Sequence, residues 1–419
     1  MTDAAQVRET ATARETDGST TRLRVGVIGA GIGGLTVAIA LHQKGFNVSV
    51  YEKAPQLGEI GAGINLTGTS TAILNDLGLL AELERLGVAT RGIEFRFWQD
   101  GRTIAANSSL FSEAAETTSY SMHRADLHRT LVDALPAGVI HLDANCVAVD
   151  EKSDHVLVRF EDGTERQFDV LIGADGLHST VRDTIHEPIP ATYSGTNAIR
   201  SLAPMNRLPE SMRGPQPIRS WVGNNRFVFT YPVRGGELLN VLTAFPHEGR
   251  VGESWVQPTP EDCARTLADE FRGWDPILHQ VFEASNISGQ WGIYDRTPLP
   301  YWSTDRVTLL GDAAHAVVPL FGQGANQAIE DAASLAEFLA GVERGDGDLS
   351  HALGEYEKVR LVRTTQAYEV SRANAAIFHC PKVQFDDVRQ VAQNTLDKMA
   401  TSRFTIQRRG SAEPVSAQS

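Results

Sequence analysis

Cysteine is scarce in this sequence of 419 residues, with three residues far apart at Cys146, Cys263 and Cys380. An odd, widely spaced set without a C-x-x-C pair argues against a disulfide framework and against a zinc site, so we expect no metal. Free thiols are typical of a reducing compartment, and the sequence therefore predicts a cytoplasmic protein.

Positive charge and long apolar runs are also in short supply. The 38 lysines and arginines are outnumbered by 52 acidic residues, which gives a net charge of −14. Nucleic-acid binding requires a basic surface, so nucleic acid is not an expected partner. No run approaches the roughly 20 apolar residues that cross a bilayer, and we expect no stable membrane anchor. Polar residues 1–21 and 405–419 predict disordered tails.

The best-defined stretch is residues 24–52, where an apolar β-branched run enters a G-x-G-x-x-G turn at Gly29, Gly31 and Gly34. A helical segment and a second strand follow, and the strand ends at Glu52. In a dinucleotide site, Gly29 permits the tight turn, Gly31 admits the pyrophosphate and Gly34 lets the helix approach the strand. The helix N-terminus would face the phosphates, and Glu52 could accept from ribose hydroxyls. This order of parts favours a dinucleotide site over a purely structural glycine turn.

Two further glycine motifs follow predicted strands. One covers residues 173–176, and the other covers 311–315 with a second part at 322–326. Open α/β sheets bind ligands at the carboxyl ends of their strands, so we expect these motifs to lie near the first one. Asp312 could accept from a sugar-alcohol hydroxyl, and a helix that begins at 322–326 would aim N–H donors at an electron-rich ring edge.

Between the last two motifs the texture of the sequence changes. From residue 187 to about 297, prolines and short β-runs dominate, and a hairpin is predicted around Gly235 and Gly236. Elsewhere, leucines at three- and four-residue spacing predict one helix over residues 70–86.

The three motifs, in this order and spacing, make residues 22–378 resemble the single-component flavoprotein aromatic hydroxylases, the salicylate and para-hydroxybenzoate hydroxylase family. The resemblance implies an α/β fold: a Rossmann-like FAD-binding domain of the glutathione-reductase type, an inserted mixed β-sheet substrate domain and a C-terminal helix. The expected division is an FAD-binding domain at 22–186 and 298–345, a substrate domain at 187–297 and a helical segment at 346–404, with tails at 1–21 and 405–419.

FAD is the cofactor that the resemblance implies. The residues that match its binding motifs are Gly29, Gly31, Gly33, Gly34, Glu52, Lys53, Arg124, Asp175, Asp312, Gly322, Gly324, Ala325 and Asn326. By this match Arg124 contacts the phosphate–ribityl region, Asp312 binds the ribityl chain, and residues 322–326 lie beside the pyrimidine edge of the flavin. The motif of Asp175 also serves a transient nicotinamide cofactor.

The implied chemistry follows from the cofactor. NADH or NADPH reduces FAD, O2 adds to form a flavin C4a-hydroperoxide, and its outer oxygen hydroxylates a small electron-rich aromatic molecule. We therefore expect an FAD-dependent NAD(P)H monooxygenase, a monomer or a homodimer. Three alternatives remain open: an epoxidase or tailoring oxygenase for an indole, polyketide or antibiotic, a flavin dehydrogenase or reductase that does not activate oxygen, and a non-enzymatic flavin sensor.

One substrate-domain strand departs from the family pattern. Salicylate-like members commonly carry a His-x-x-x-Tyr pair, but here the histidine position is Phe227 and the tyrosine position is Tyr231. Phenylalanine cannot take a proton, so either Tyr231 or water is the base, or the substrate is already electron-rich, as an indole, arylamine or polyphenol would be. Tyr231, Asn65 and Pro319 are the predicted catalytic residues.

Strand alternation places Phe227, Phe229 and Tyr231 on one face. With Trp221, the two phenylalanines line an apolar substrate pocket or only pack the sheet. His315 is expected to be a helix-end histidine satisfied by backbone rather than a base, and His123 and His128 are expected to be surface or packing residues.

Overall fold

The computed structural model describes residues 22–58, 63–107, 118–214, 216–247, 258–316, 322–378 and 380–401. The predicted tails at 1–21 and 405–419 lie outside these residues, and so does Pro319. The helices in the described part are α1 (Ile32–Gln43), α2 (Gly68–Asp76), α3 (Leu80–Leu86), α4 (Arg124–Asp133), α5 (Arg182–Ile185), α6 (Pro260–Glu270), α7 (Pro276–Ala284), α8 (Asp312–His315), α9 (Gln323–Arg344), α10 (Leu349–Phe378) and α11 (Phe385–Thr401).

The strands of the described residues form four sheets. They are β1 (Arg24–Ile28), β2 (Asn47–Tyr51), β3 (Gly63–Leu66), β4 (Val88–Ala89), β5 (Ile93–Phe97), β6 (Thr103–Asn107), β7 (Tyr120–His123), β8 (Ile140–His141), β9 (Cys146–Glu151), β10 (Val156–Phe160), β11 (Glu165–Phe168), β12 (Val170–Gly173), β13 (Thr192–Pro204), β14 (Ile218–Gly223), β15 (Arg226–Val233), β16 (Leu238–Pro246), β17 (Asn286–Asp295) and β18 (Val307–Leu309). A parallel sheet has the order β18-β12-β1-β2-β8, and a larger sheet has the order β17-β13-β16-β15-β14-β5-β6. The two small sheets are β11-β10-β9 and β3-β7-β4.

The parallel sheet brings the three glycine motifs together. Strands β18, β12 and β1 are direct neighbours, and each is followed by one of the motifs. Apolar residues fill these strands because both faces of the sheet are covered: Val25, Val27 and Leu309 have no exposed surface. The carboxyl ends of parallel strands share one edge, so three segments that are far apart in sequence meet there.

The larger sheet is mixed, since β14 pairs with β5 in parallel and the remaining pairs are antiparallel. This confirms the predicted α/β fold with an inserted mixed sheet. The sheet also contains β5 and β6, whereas the predicted boundary assigns residues 93–107 to the FAD-binding domain. Parallel pairing between β5 and β14 joins strands more than 100 residues apart, which local sequence patterns do not reveal.

The helix predicted over residues 70–86 is instead two helices, α2 and α3. Gly78 lies between them with φ +82°, a left-handed conformation that ends α2. The apolar spacing continues across this break, so periodicity alone did not show it. Among the described helices, none combines the length and the apolar character needed to cross a membrane.

Candidate functional site

A cavity of about 440 Å³ lies between the carboxyl edge of the parallel sheet and one face of the mixed sheet. Residues of all three glycine motifs line one side of it: Gly31, Ile32, Gly33, Ala174, Gly176, Leu177, Gly311, Asp312, Gly322, Gly324 and Ala325. The other side consists mainly of side chains of the mixed sheet: Ala198, Arg200, Phe227, Phe229, Tyr231, Asn240, Leu242, Trp291 and Ile293.

Each position of the first turn requires glycine for a different structural reason. Gly29 has φ +104°, and a Cβ there would collide with the Ala174 carbonyl. A Cβ on Gly34 would collide with the Gly29 carbonyl, and one on Gly33 would lie 2.7 Å from Leu310 Cδ1. Gly31 is the exception, because a Cβ there would meet no atom within 4 Å and would project into the cavity. Space is therefore kept at Gly31 for a ligand rather than for another part of the chain.

The peptide groups of Ala30, at the centre of this turn, are held by two side chains. Its N–H donates to Glu52 Oε2 at 2.9 Å, and its carbonyl accepts from His128 Nε2 at 2.8 Å. Glu52 also accepts from Ala54 N at 3.0 Å, so each carboxylate oxygen keeps a lone pair for a ribose hydroxyl. His128 is not a surface residue: it is buried and fixes the turn.

The second motif presents backbone to the cavity. Ala174, Gly176 and Leu177 line it, whereas the Asp175 carboxylate accepts from Ser179 Oγ at 2.5 Å and from two backbone N–H groups of the following loop. Burial raises the pKa of Asp175 against the opposing effect of these hydrogen bonds. The Asp175 side chain therefore shapes the loop and is not among the residues that line the cavity, although Asp175 matches a cofactor-binding motif in the sequence.

The third motif rests on a buried charge network. Asp331 Oδ2 accepts from Gly311 N at 3.0 Å and from His315 Nε2 at 2.5 Å, and Oδ1 accepts from Arg360 Nε at 2.6 Å. Burial raises the pKa of Asp331, but the charges of His315 and Arg360 outweigh it and hold the pKa at about 2. Asp331 is thus an anion that fixes both ends of the short segment that carries Asp312. The prediction that backbone groups satisfy His315 is wrong, because Nε2 of His315 is hydrogen-bonded to the Asp331 carboxylate.

The start of α9 is shaped by a single amide side chain. Gly322 is left-handed at φ +65°, and Gly324 and Ala325 line the cavity. Asn326 is buried; its Nδ2 donates to Asn65 O at 2.8 Å and to Gly322 O at 2.7 Å, and its Oδ1 accepts from Thr67 N at 3.0 Å. Asn326 therefore ties β3 to the loop, and any effect it has on a cofactor is indirect.

The two predicted cationic contacts differ in position. Arg124 is the first residue of α4 and lines the cavity. Lys53 is exposed and is not among the residues that line the cavity. The cavity therefore does not support the predicted contact between Lys53 and the cofactor.

The mixed sheet presents the predicted aromatic face. Phe227, Phe229 and Tyr231 all line the cavity, as alternation along β15 requires. Trp221 does not: it pairs with Val228, which points to the opposite face, and its Nε1 donates to Asp275 Oδ2 at 2.8 Å. The prediction that Trp221 lines the pocket is wrong. Paired residues of neighbouring strands share a face of the sheet, so Trp221 lies on the face of Val228, opposite to that of Phe227 and Phe229.

Tyr231 is a neutral phenol in this setting. Burial raises the pKa of Tyr231 well above its usual value, against a smaller opposing effect of the Arg200 charge. The side chain can therefore donate a hydrogen bond but does not act as a base near neutral pH. Asn65 also lines the cavity, and its Oδ1 accepts from Ser121 Oγ at 2.6 Å.

Several lining residues have no counterpart in the sequence prediction. Arg200 lies on β13, Asn240 on β16 and Trp291 on β17, and Phe378 at the end of α10 packs on Phe227 with ring centroids 4.4 Å apart. One signal in the sequence could have identified Arg200 and Asn240. Each is a polar residue between apolar residues on the same strand face, as Arg200 is between Ala198 and Leu202.

The donor set fits FAD. Gly31 leaves room for a pyrophosphate at the N-terminus of α1, Asp312 offers a carboxylate, and Arg124 offers a cation on the same cavity wall. The aromatic face of the mixed sheet opposes these groups, so one cavity can hold both a flavin and a flat substrate.

Comparisons with known proteins agree with this assignment. A family model described as "FAD binding domain" matches residues 22–371. The 3-amino-4-hydroxybenzoate 2-monooxygenase PtnB3 of Streptomyces platensis is 38% identical over 91% of this chain and 95% of its own length. The 6-hydroxynicotinate 3-monooxygenase of Pseudomonas fluorescens is 34% identical over 84% of this chain and 91% of its own.

A solved structure gives the same result. The crystal structure of Klebsiella pneumoniae HpxO complexed with FAD and uric acid has a TM-score of 0.79 and 26% identity, and the match covers 91% of this chain and 98% of that one. The family, fold, cofactor and enzyme class predicted from the sequence are thereby confirmed. The chain belongs to the FAD-binding domain family, as a salicylate hydroxylase-like FAD-dependent aromatic monooxygenase.

Proposed function

We propose that this monooxygenase hydroxylates an electron-rich aromatic carboxylate, a benzoate or a pyridine carboxylate with an amino or hydroxyl group on its ring. The observation that carries the proposal is the position of Arg200 on the aromatic wall of the cavity. In the register of the mixed sheet Arg200 lies opposite Leu242, which lies opposite Phe229. A cation therefore stands in an otherwise largely apolar face.

The chemistry of Arg200 suits a carboxylate. Its guanidinium carbon lies 5.2 Å from the centre of the Trp291 ring, and this cation–π contact helps to hold the group at the cavity wall. A guanidinium presents paired N–H donors that match the two oxygens of a carboxylate. An aromatic acid would place its ring against Phe229 and its charge at Arg200, whereas a neutral aromatic would offer no opposite charge to the guanidinium.

The amino or hydroxyl group proposed for the substrate ring follows from the lack of a basic side chain at Phe227 and Tyr231 of β15. Phe227 stands where salicylate-like relatives carry a histidine, and the raised pKa of Tyr231 keeps its phenol protonated. Neither side chain can remove a proton from the substrate, so a ring already activated by an amino or hydroxyl group is favoured. The names of the relatives similar to this chain, an aminohydroxybenzoate and a hydroxynicotinate monooxygenase, support the same substrate class.

Bound FAD, once reduced by NADH or NADPH, supplies activated oxygen from O2. The residues of the chain bind and orient: Gly31, Arg124 and Asp312 hold the cofactor side, and Arg200 with Phe229 places the ring. The aromatic wall also keeps water away from the reacting atoms. A monomer or homodimer and a cytoplasmic location stay predictions from the sequence.

The test compares acids with their decarboxylated counterparts. We would measure NAD(P)H oxidation and product mass for 3-amino-4-hydroxybenzoate, 4-hydroxybenzoate and 6-hydroxynicotinate against 2-aminophenol, phenol and 2-hydroxypyridine. We expect the acids to gain one oxygen with a kcat/KM at least about 10-fold above that of the counterparts, as a lost ion pair requires.

Arg200→Met should remove this preference, and Arg207→Met, at an exposed position of the same domain, should keep it. Equal kcat/KM for acids and counterparts in the wild type would overturn the proposal.

A further inference from the structure

Asn240 is a polar residue in the wall of the cavity. It lies on β16 directly opposite Tyr231, lines the cavity and is only 3% exposed. A primary amide that is buried to this extent is expected to have its hydrogen-bonding groups satisfied, by protein or by ligand.

The orientation of the Asn240 amide is fixed by Gly63. Gly63 N donates to Asn240 Oδ1 at 2.7 Å, and a backbone N–H can only be met by the carbonyl oxygen of the amide. The Nδ2 group, with its two N–H donors, is therefore on the other side of the amide. Among the described residues Nδ2 has no hydrogen-bond acceptor.

The neighbours of this amide are donors too. A Cβ on Gly63 would lie 2.6 Å from the Tyr231 hydroxyl and 2.7 Å from Asn240 Cγ, so the two polar groups adjoin one another. Arg200 lies on the same sheet face, opposite Leu242, which is two residues from Asn240 along β16. A wall that offers an amide N–H, a protonated phenol and a guanidinium matches a ligand edge rich in oxygen acceptors.

We propose that Asn240 is a specificity-determining residue, which donates from Nδ2 to an oxygen of the aromatic substrate, either its carboxylate or its ring hydroxyl. The inference rests on the proposed function, since it deepens the assignment of an oxygen-substituted aromatic substrate. It also gives Gly63 a role: its N–H holds the amide with the donors toward the ligand.

The experiment uses Asn240→Asp and Asn240→Leu in the FAD-loaded protein. Aspartate keeps an oxygen for Gly63 but replaces both donors with an acceptor, whereas leucine removes both functions. Dissociation constants for benzoate, phenol and aniline would be measured from the change in flavin absorbance, at about pH 8 so that the new carboxyl group is ionised.

We expect Asn240→Asp to weaken the binding of benzoate or phenol by roughly 10-fold or more. The binding of aniline, which offers N–H donors, should be unchanged or tighter. A loss confined to benzoate identifies the carboxylate as the partner, and a loss confined to phenol identifies the ring hydroxyl. Unchanged binding of both, or an equal loss for all three ligands that matches Asn240→Leu, would overturn the inference. Wild-type protein that binds neither benzoate nor phenol would overturn the proposed function together with it.

Discussion

His128 donates from Nε2 to the Ala30 carbonyl at 2.8 Å, so α4 holds the glycine-rich turn from the outside. Helix α4 begins with Arg124, and Gly31 follows Ala30 in the turn. Arg124 and Gly31 both line the cavity. This hydrogen bond therefore holds the helix that carries Arg124 against the turn that carries Gly31, on one wall of the cavity.

Replacing His128 with leucine should weaken FAD binding. The Ala30 carbonyl would lose its partner, which costs about 1–3 kcal/mol and corresponds to roughly 5- to 150-fold in FAD affinity if the turn relaxes away from the bound geometry. Fluorescence titration of the apoprotein with FAD would measure it. Arg129→Leu, at an exposed neighbouring position, is the control, and equal affinities of the two variants would contradict the role of His128.

Replacing Gly31 with alanine tests whether the open space at this glycine is kept for the cofactor. The new Cβ would meet no protein atom within 4 Å, so the apoprotein should fold with an unchanged melting temperature. FAD affinity should fall by about 10-fold or more, because the methyl group occupies the approach to the pyrophosphate. Gly58→Ala, whose Cβ also meets nothing within 4 Å, should bind FAD normally. Wild-type FAD affinity in the Gly31→Ala variant would place the cofactor elsewhere.

Replacing Arg360 with methionine should destabilise the whole FAD-binding region. Arg360 is 2% exposed and donates to both Asp331 and Glu330, so its loss leaves the buried Glu330 without the cation that it pairs with and the buried Asp331 with His315 as its remaining basic side chain. Breaking such a pair costs about 3–5 kcal/mol in the free energy of unfolding. Urea unfolding would measure the loss, and Lys358→Met on the exposed side of α10 should cost far less. A stability equal to that of the control would show that the network adds nothing.

The pH dependence of turnover should show no ionisation of Tyr231. Burial raises the pKa of this phenol, so it stays protonated as pH rises, and the rate should lack a step from Tyr231 between about pH 6 and 9. Tyr231→Phe should lower kcat/KM for a hydroxyaromatic by roughly 5- to 10-fold through the lost hydrogen bond, with the shape of the pH profile unchanged. A wild-type step that disappears in Tyr231→Phe would instead identify Tyr231 as a base.

The local features of the cofactor site were readable from the chain. Gly29, Gly31 and Gly34 have a spacing that can be read from the chain, because the strand, the tight turn and the helix that they join follow one another in sequence. The face shared by Phe227, Phe229 and Tyr231 follows from the two-residue period of a strand. The family resemblance supplied the cofactor and the reaction class.

Which groups face one another was decided by the tertiary structure alone. Trp221 was predicted to line the pocket but does not, because its orientation depends on the register between β14 and β15. Strand β5 belongs to the mixed sheet through a parallel partner that is distant in sequence. The contacts that fix the site, Arg360 on Asp331 and Gly63 on Asn240, join residues 29 and 177 positions apart. Sequence determines periodicity and turn chemistry because these act over a few residues. Hydrogen-bond partners and cavity walls depend on how distant segments pack, and only the folded chain defines them.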